Sequence, residues 1–168
     1  MGKPRKAWTK SFLFKHFDFY GALGENFTFG CGMVRLGSLN STFAYLHSTS
    51  GLHRVQFDMP FDLGFQSDYK PLGRTTWVHP FKKNHSVSST RDAQSRELQF
   101  QFGKNFYGHV RIDCDRSETL ALNTPIANTG FAYAQKSSGG SVSGEIFLNG
   151  NKYTIQPEKD GCYHDWTA

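Results

Sequence analysis

The segment from Gly144 to Pro157, G-E-I-F-L-N-G-N-K-Y-T-I-Q-P, constrains the fold more than any other part of the chain. Asn149-Gly150 suits a type I′ turn, whose two central residues need positive φ. That turn pairs Leu148 with Asn151, Phe147 with Lys152, Ile146 with Tyr153 and Gly144 with Ile155. Ile146, Tyr153 and Ile155 then share one face, and Glu145 and Thr154 the other. Turn chemistry and side-chain alternation agree, which pins the register of a β-hairpin.

The rest of the chain reads the same way. Gly, Pro, Asn or Asp breaks it roughly every ten residues, the spacing of a sandwich or barrel. Thr42–His47 reads as a strand, and so does Leu52–Phe57, with Leu52, Arg54 and Gln56 opposite His53, Val55 and Phe57. Thr75–His79 ends at Pro80, as a strand end or edge would. Glu97–Phe102 and Gly108–Asp113 form a second hairpin, with a turn expected from Asn105 to Gly108. The glycines of Phe27–Leu39 mark a bulge, a bend or a close approach. No segment carries a long apolar stripe of helical period. The expected fold is all-β, an antiparallel barrel or strongly curved sandwich of about nine to eleven strands, with closure favoured because it removes edges. Residues 1–168 are read as a single domain. A barrel of that size encloses at most one small ligand.

Composition limits the function. Hydrophobic residues are only 38 % of the chain, but 16 are Phe, and each aromatic ring buries a large area. The net charge is +5. Its basic residues are scattered, apart from Lys3, Arg5, Lys6 and Lys10 and the pair Lys82–Lys83 with His85. Without a basic stripe or a recognition motif, no nucleic-acid partner is expected. Cys31, Cys114 and Cys162 form no C-x-x-C pair, and an odd count argues against a disulfide framework. Free thiols in an intracellular, reducing compartment are expected. No apolar run approaches the ~20 residues of a membrane span. The opening M-G-K-P-R-K-A-W lacks the apolar core of a secretory signal, and Lys6 stands where myristoylation wants Ser or Thr.

Candidate chemistry concentrates near the end. In His164-Asp165-Trp166 the carboxylate would orient or charge the imidazole, and the indole would wall an apolar ligand. The structural alternative makes Asp165 a turn cap and Trp166 a plug. Lys136 would act as a base or Schiff-base amine if inward, but sits at a rim if its ammonium stays in water. Phe29, Tyr45, Trp77, Phe131, Tyr133 and Trp166 are the aromatics expected to line a ligand site. The cluster Phe12, Phe14, Phe17, Phe19, Phe27 and Phe29 serves as core packing or as a pocket wall. The seven histidines show no H-x-H or H-E-x-x-H spacing, so no metal is expected, and no cofactor motif is present.

Thr124-Pro125, the strand F-A-Y-A-Q-K, the Ser/Gly spacer, G-E-I through N-G-N-K-Y and the closing Asp165-Trp166 resemble the "domain of unknown function 2804" family. Lys6-Ala7-Trp8, Gly32–Leu39 and Phe43-Ala44-Tyr45 extend the resemblance upstream. That family looks distantly related to two-barrel, lipocalin-like proteins that include carotenoid hydratases and related terpenoid-processing enzymes. The resemblance implies a lipocalin-like domain similar to the N-terminal half of such a protein. Two departures stand out. Family members run on after Asp-Trp into a second half, whereas this chain stops at Ala168, and K-A-W occupies the place of the lipocalin G-x-W. Three functions are expected in turn. The first is a binding module for an apolar small molecule without catalysis of its own. The second is an enzyme hydrating or isomerising a lipid or terpenoid. The third is a structural subunit whose partner is a protein or a missing second barrel.

Overall fold

The computed structural model describes residues 15–126 and 130–168. The N-terminal basic cluster, Lys6-Ala7-Trp8, Phe12 and Phe14 lie outside the described residues. Among the described residues, fourteen antiparallel strands form two seven-stranded sheets. The first sheet runs, in spatial order, β10 (Glu118–Ile126), β11 (Gly130–Ser138), β14 (Gly161–Thr167), β1 (Lys15–Leu23), β2 (Phe27–Leu36), β3 (Leu39–Ser48) and β4 (Gly51–Pro60). The second runs β13 (Asn151–Ile155), β12 (Ser141–Leu148), β9 (Phe106–Asp113), β8 (Ser95–Phe102), β7 (His85–Arg91), β6 (Gly73–Val78) and β5 (Phe65–Ser67). The sheets do not hydrogen-bond into a closed ring, so the curved sandwich is adopted and the favoured closure is not. No helix of the described residues is long and apolar enough to cross a membrane.

The C-terminal hairpin has the register read from its letters, from Gly144 opposite Ile155 to Leu148 opposite Asn151. Asn149 and Gly150 both have positive φ, at 52° and 84°, as a type I′ turn demands. The β8–β9 hairpin turns earlier than expected. Phe102 pairs with Phe106, so Gly103 to Asn105 make the turn, with Gly103 at a φ of 76°. Phe106 and Tyr107 belong to the strand because Phe106, at 1 % exposure, is a core residue.

The core lies between the sheets. Phe29 stacks on Phe100 at 5.0 Å and Trp77 on Phe57 at 5.6 Å, with Leu46, Leu98, Ile112 and Ile146 buried around them. Close packing of this kind leaves the middle of the sandwich filled by side chains. Toward the β1–β14 side the interior becomes polar. The inward positions of β1 are His16, Asp18, Tyr20 and Ala22, all buried. Its outward positions are Phe17, Phe19 and Gly21. Around Asp18 the strand therefore inverts the usual alternation, with a charge inside and the rings of Phe17 and Phe19 outside.

Candidate functional site

Two features carry chemistry: a buried polar cluster and an outer apolar groove. The cluster is assembled from four strands. Asp18 on β1 is fully buried. Its Oδ1 accepts the Nε2–H of His164 on β14 at 2.9 Å, and its Oδ2 is ion-paired with Arg91 Nη1 at the end of β7. Arg91 Nη1 also donates to Ser89 Oγ at 2.8 Å and Thr75 Oγ1 at 3.1 Å. Its remaining nitrogens reach the carbonyls of Pro71 and Lys70, both at 3.3 Å. A half-exposed carboxylate, Asp68, stands 3.8 Å from Nη2. Tyr20 shares a hydrogen bond with Ser89 at 2.8 Å, and its ring lies 4.6 Å from that of His164.

Charge balance explains why the cluster tolerates burial. Removal from water alone would raise the Asp18 carboxyl, but the hydrogen bond and charge of His164 and the charge of Arg91 hold it below the usual carboxylate range. Asp18 is thus ionised at neutral pH and neutralised by Arg91. Burial, and then the Asp18 charge, push the Tyr20 phenol well up, so it remains a donor. His16 sits between Phe65, Tyr69 and Trp166, with ring centroids 5.5–5.8 Å away. Burial lowers its pKa to about 4, although Asp18 nearby pulls the other way. Its Nε2 meets Thr75 Oγ1 at 3.3 Å.

Several buried polar atoms have no protein partner among the described residues: His16 Nδ1, His164 Nδ1 and Trp166 Nε1 in the cluster, and Trp77 Nε1 in the core. Such atoms are uncommon, because an unmade buried hydrogen bond is costly. With Nε2 bonded to Asp18, Nδ1 is the ring nitrogen of His164 left without a protein partner. An imidazole oriented by a carboxylate and free on its other nitrogen is a general base in form. Among the described residues no group of three or more His, Cys, Asp or Glu side chains converges as a metal site.

The sequence-selected residues divide. His164 and Trp166 point inward, and Trp166 lies beneath the Arg91 guanidinium at 5.9 Å and beside Tyr133 at 5.9 Å. Asp165 points outward and is ion-paired with the half-exposed Lys136 on β11, so neither joins His164. Phe29 and Trp77 are core residues. Phe131 is 66 % exposed at the sheet end, while Tyr45 lies on the outer face. The six aromatics therefore do not share one cavity. Phe17 and Phe19 are outward, and Phe27 and Phe29 pack inward. Asp18, Arg91, Tyr20 and His16 escaped the sequence reading. The one available signal was a lone carboxylate inside the aromatic run Phe17-Asp18-Phe19.

The outer face of the first sheet is aromatic. Phe19 packs with Phe17 at 5.9 Å, Tyr163 at 5.2 Å and Phe43 at 6.0 Å. Glycines make room for these rings: Tyr163 covers Gly21, Tyr45 covers Gly30, and Phe43 covers Gly32. This is the close approach that the glycines announced. Beside the rings, over β2–β4, lies a groove of about 710 Å³. Val34, Leu36, Leu39, Phe43, Tyr45 and Leu52 make its apolar surface. Arg54, Gln56 and Asp58 form its polar wall, linked by side-chain hydrogen bonds that include Gln56 Nε2 to Asp58 at 3.0 Å.

The model of the domain of unknown function DUF2804 matches residues 4–168. The chain belongs to that family. A protein provisionally assigned as AttH from Nitrosomonas europaea has a similar solved structure, with a TM-score of 0.62 at 13 % identity. The match covers 91 % of this DUF2804 chain and 50 % of that one. Kievitone hydratase from Nectria haematococca follows with a TM-score of 0.57 and 13 % identity, over 90 % of this chain and 47 % of that one. The chain thus spans about half the length of the solved structures it matches. At that identity the likeness shows a shared fold and nothing of function. No curated protein matches the chain.

Proposed function

We propose that this DUF2804 domain is a lipocalin-like binding module for an apolar small molecule, with no chemistry of its own at the binding surface. The observation that carries the reading is the outer groove, whose volume of about 710 Å³ falls in the range of small-molecule sites. Its surface is apolar, and Gln56 hydrogen-bonds both Arg54 and Asp58 in its polar wall. The filled sandwich centre favours the outer groove over an interior site. Organic extraction and native mass spectrometry of purified protein are expected to show a bound apolar compound. Leu52 is 64 % exposed, so Leu52→Glu leaves the fold intact. It should weaken binding of an uncharged apolar dye such as Nile red by about tenfold or more, the worth of one buried aliphatic side chain. Unchanged dye binding in that variant would remove the groove from the proposal.

A second reading rests on the Asp18–His164 pair, whose free Nδ1 suits an acid/base hydration or isomerisation of a lipid or terpenoid. Incubating the protein with an unsaturated terpenoid alcohol in D₂O and reading deuterium uptake by mass spectrometry tests it. His164→Gln should abolish uptake and Asp165→Asn should not. Absence of uptake in the wild type ends this reading. As to partners, the aromatic face also suits a second barrel or another protein. Sedimentation that stays monomeric at all concentrations would count against a copy of this chain as that partner.

A further inference from the structure

The loop between β6 and β7 presents an aromatic tip. Every residue from Pro80 to Asn84 is exposed. Phe81 is 81 % exposed, the highest value among the exposed large apolar side chains of the described residues, with Val78 at its base. A single exposed ring needs no explanation by itself. What distinguishes this one is how firmly it is held out. His79 is buried under the loop, 5.1 Å from Phe57 and 5.7 Å from Trp77 between ring centroids. Its Nδ1 accepts the backbone N–H groups of Phe81 and Lys82, both at 3.1 Å. Burial first, and then the charges of Lys82 and His85, hold the His79 pKa down, which keeps Nδ1 an acceptor at neutral pH. The loop is closed by His79 N–H to the His85 carbonyl at 2.9 Å and braced by Gly103 N–H to the Asn84 carbonyl at 2.8 Å. A tip fixed in advance loses little conformational entropy when it is covered.

Its charge is one-sided. Lys82 and Lys83 follow the ring in sequence, and neither has a carboxylate partner among the described residues. Lys82 instead lays its ammonium 4.7 Å from the centre of the Phe57 ring. An open hollow of about 490 Å³ follows the loop, bounded by Phe81, Lys82, Lys83, His85 and Gln101.

We infer that this loop docks the domain on an anionic lipid surface. Phe81 enters the boundary between headgroups and acyl chains, Lys82 and Lys83 meet the lipid phosphates, and the adjacent hollow takes a headgroup. A convex tip suits a fluid interface better than a folded protein, whose anchors fill pockets. Lysine also fits: its hydrated ammonium on a flexible stem follows mobile headgroups, whereas planar carboxylates favour the fork of arginine. One ring and two lysines give weak, reversible and salt-sensitive attachment. The inference is independent of the groove, which lies on the other sheet.

Co-sedimentation of the full chain with large unilamellar vesicles tests it. The wild type should pellet with mixed phosphatidylcholine–phosphatidylserine vesicles, not with pure phosphatidylcholine, and high salt should release it. Replacing both lysines, Lys82→Ser with Lys83→Ser, should lower the partition coefficient about thirtyfold, since each lysine near an anionic surface contributes about fivefold. Phe81→Ser should lower it about tenfold or more. All three side chains are exposed, so the melting temperature should not move. Failure of the wild type to pellet with anionic vesicles, or wild-type partition by Phe81→Ser, would overturn the inference. Retention of an acidic polypeptide such as polyglutamate without vesicle binding would also overturn it, and would assign the lysines to an acidic protein.

Discussion

Replacing Asp18 by alanine is expected to cost about 3–5 kcal/mol of folding stability, as removal of one member of a buried ion pair does. The variant would keep Arg91 inside the sandwich with its main counter-charge gone, and would orphan the Nε2–H of His164. Asp68 stands 3.8 Å away at the surface and compensates only in part. A domain with a margin of about 5–15 kcal/mol loses a large share of it. Urea denaturation followed by tryptophan fluorescence measures the change. The control lies one strand away: Asp165→Ala removes the partner of half-exposed Lys136 and should cost roughly 0–1 kcal/mol. Equal losses in the two variants would contradict the account of the cluster. The double variant Asp18→Leu, Arg91→Met separates structure from chemistry. It removes both charges together and should regain most of the stability. Any proton-transfer activity that depends on Asp18 would stay lost.

The second large effect is on pH. Stability should fall as pH drops from about 6.5 toward 4, by about 3 kcal/mol from His16. In the unfolded chain this imidazole takes a proton near its ordinary pKa of about 6.5. In the folded state burial delays protonation until about pH 4. Between those values the unfolded state binds more protons, so acid favours unfolding. Asp18 and Asp68 oppose this burial penalty, while Arg91 and Arg35 add to it. His79, also held low by burial, acts in the same direction. Asp18 contributes in a separate window, since its lowered pKa supports the fold above the ordinary carboxylate value and fails only below it. His16→Phe keeps the ring against Phe65, Tyr69 and Trp166 and should flatten the slope between pH 6.5 and 4. An unchanged slope in that variant would assign the acid sensitivity elsewhere.

What could be read from the letters was local. The Asn149-Gly150 turn fixes its own register, and the alternation of Leu52–Phe57 has the sidedness expected of it. The inward aim of His164 and Trp166 follows from the same period of two. The cluster around them was not legible, because its partners are distant: Arg91 stands 73 positions and His164 146 positions from Asp18. No local spacing records such a pair. The groove was hidden for a different reason. Apolar-in, polar-out is the rule used to orient a strand, and β1 and β3 break it. Asn40, Thr42 and Ala44 face inward on β3, and Phe43 and Tyr45 outward. A sequence reader who trusts hydrophobicity alone turns both strands over. The added strands have a plainer cause, since β5 has only three residues and β10 is exposed along its readable length.

Gly21, Gly30 and Gly32 keep negative or extended φ, so their backbone would accept any residue; only the rings of Tyr163, Tyr45 and Phe43 lying on them exclude a side chain. Each glycine and its ring thus behave as one inherited unit. A methyl group gained at Gly30 must lift Tyr45, and a smaller residue at position 45 would bare a strip of main chain. A side chain added to the floor of this surface therefore displaces a ring carried by the neighbouring strand, and the two positions are coupled across the sheet.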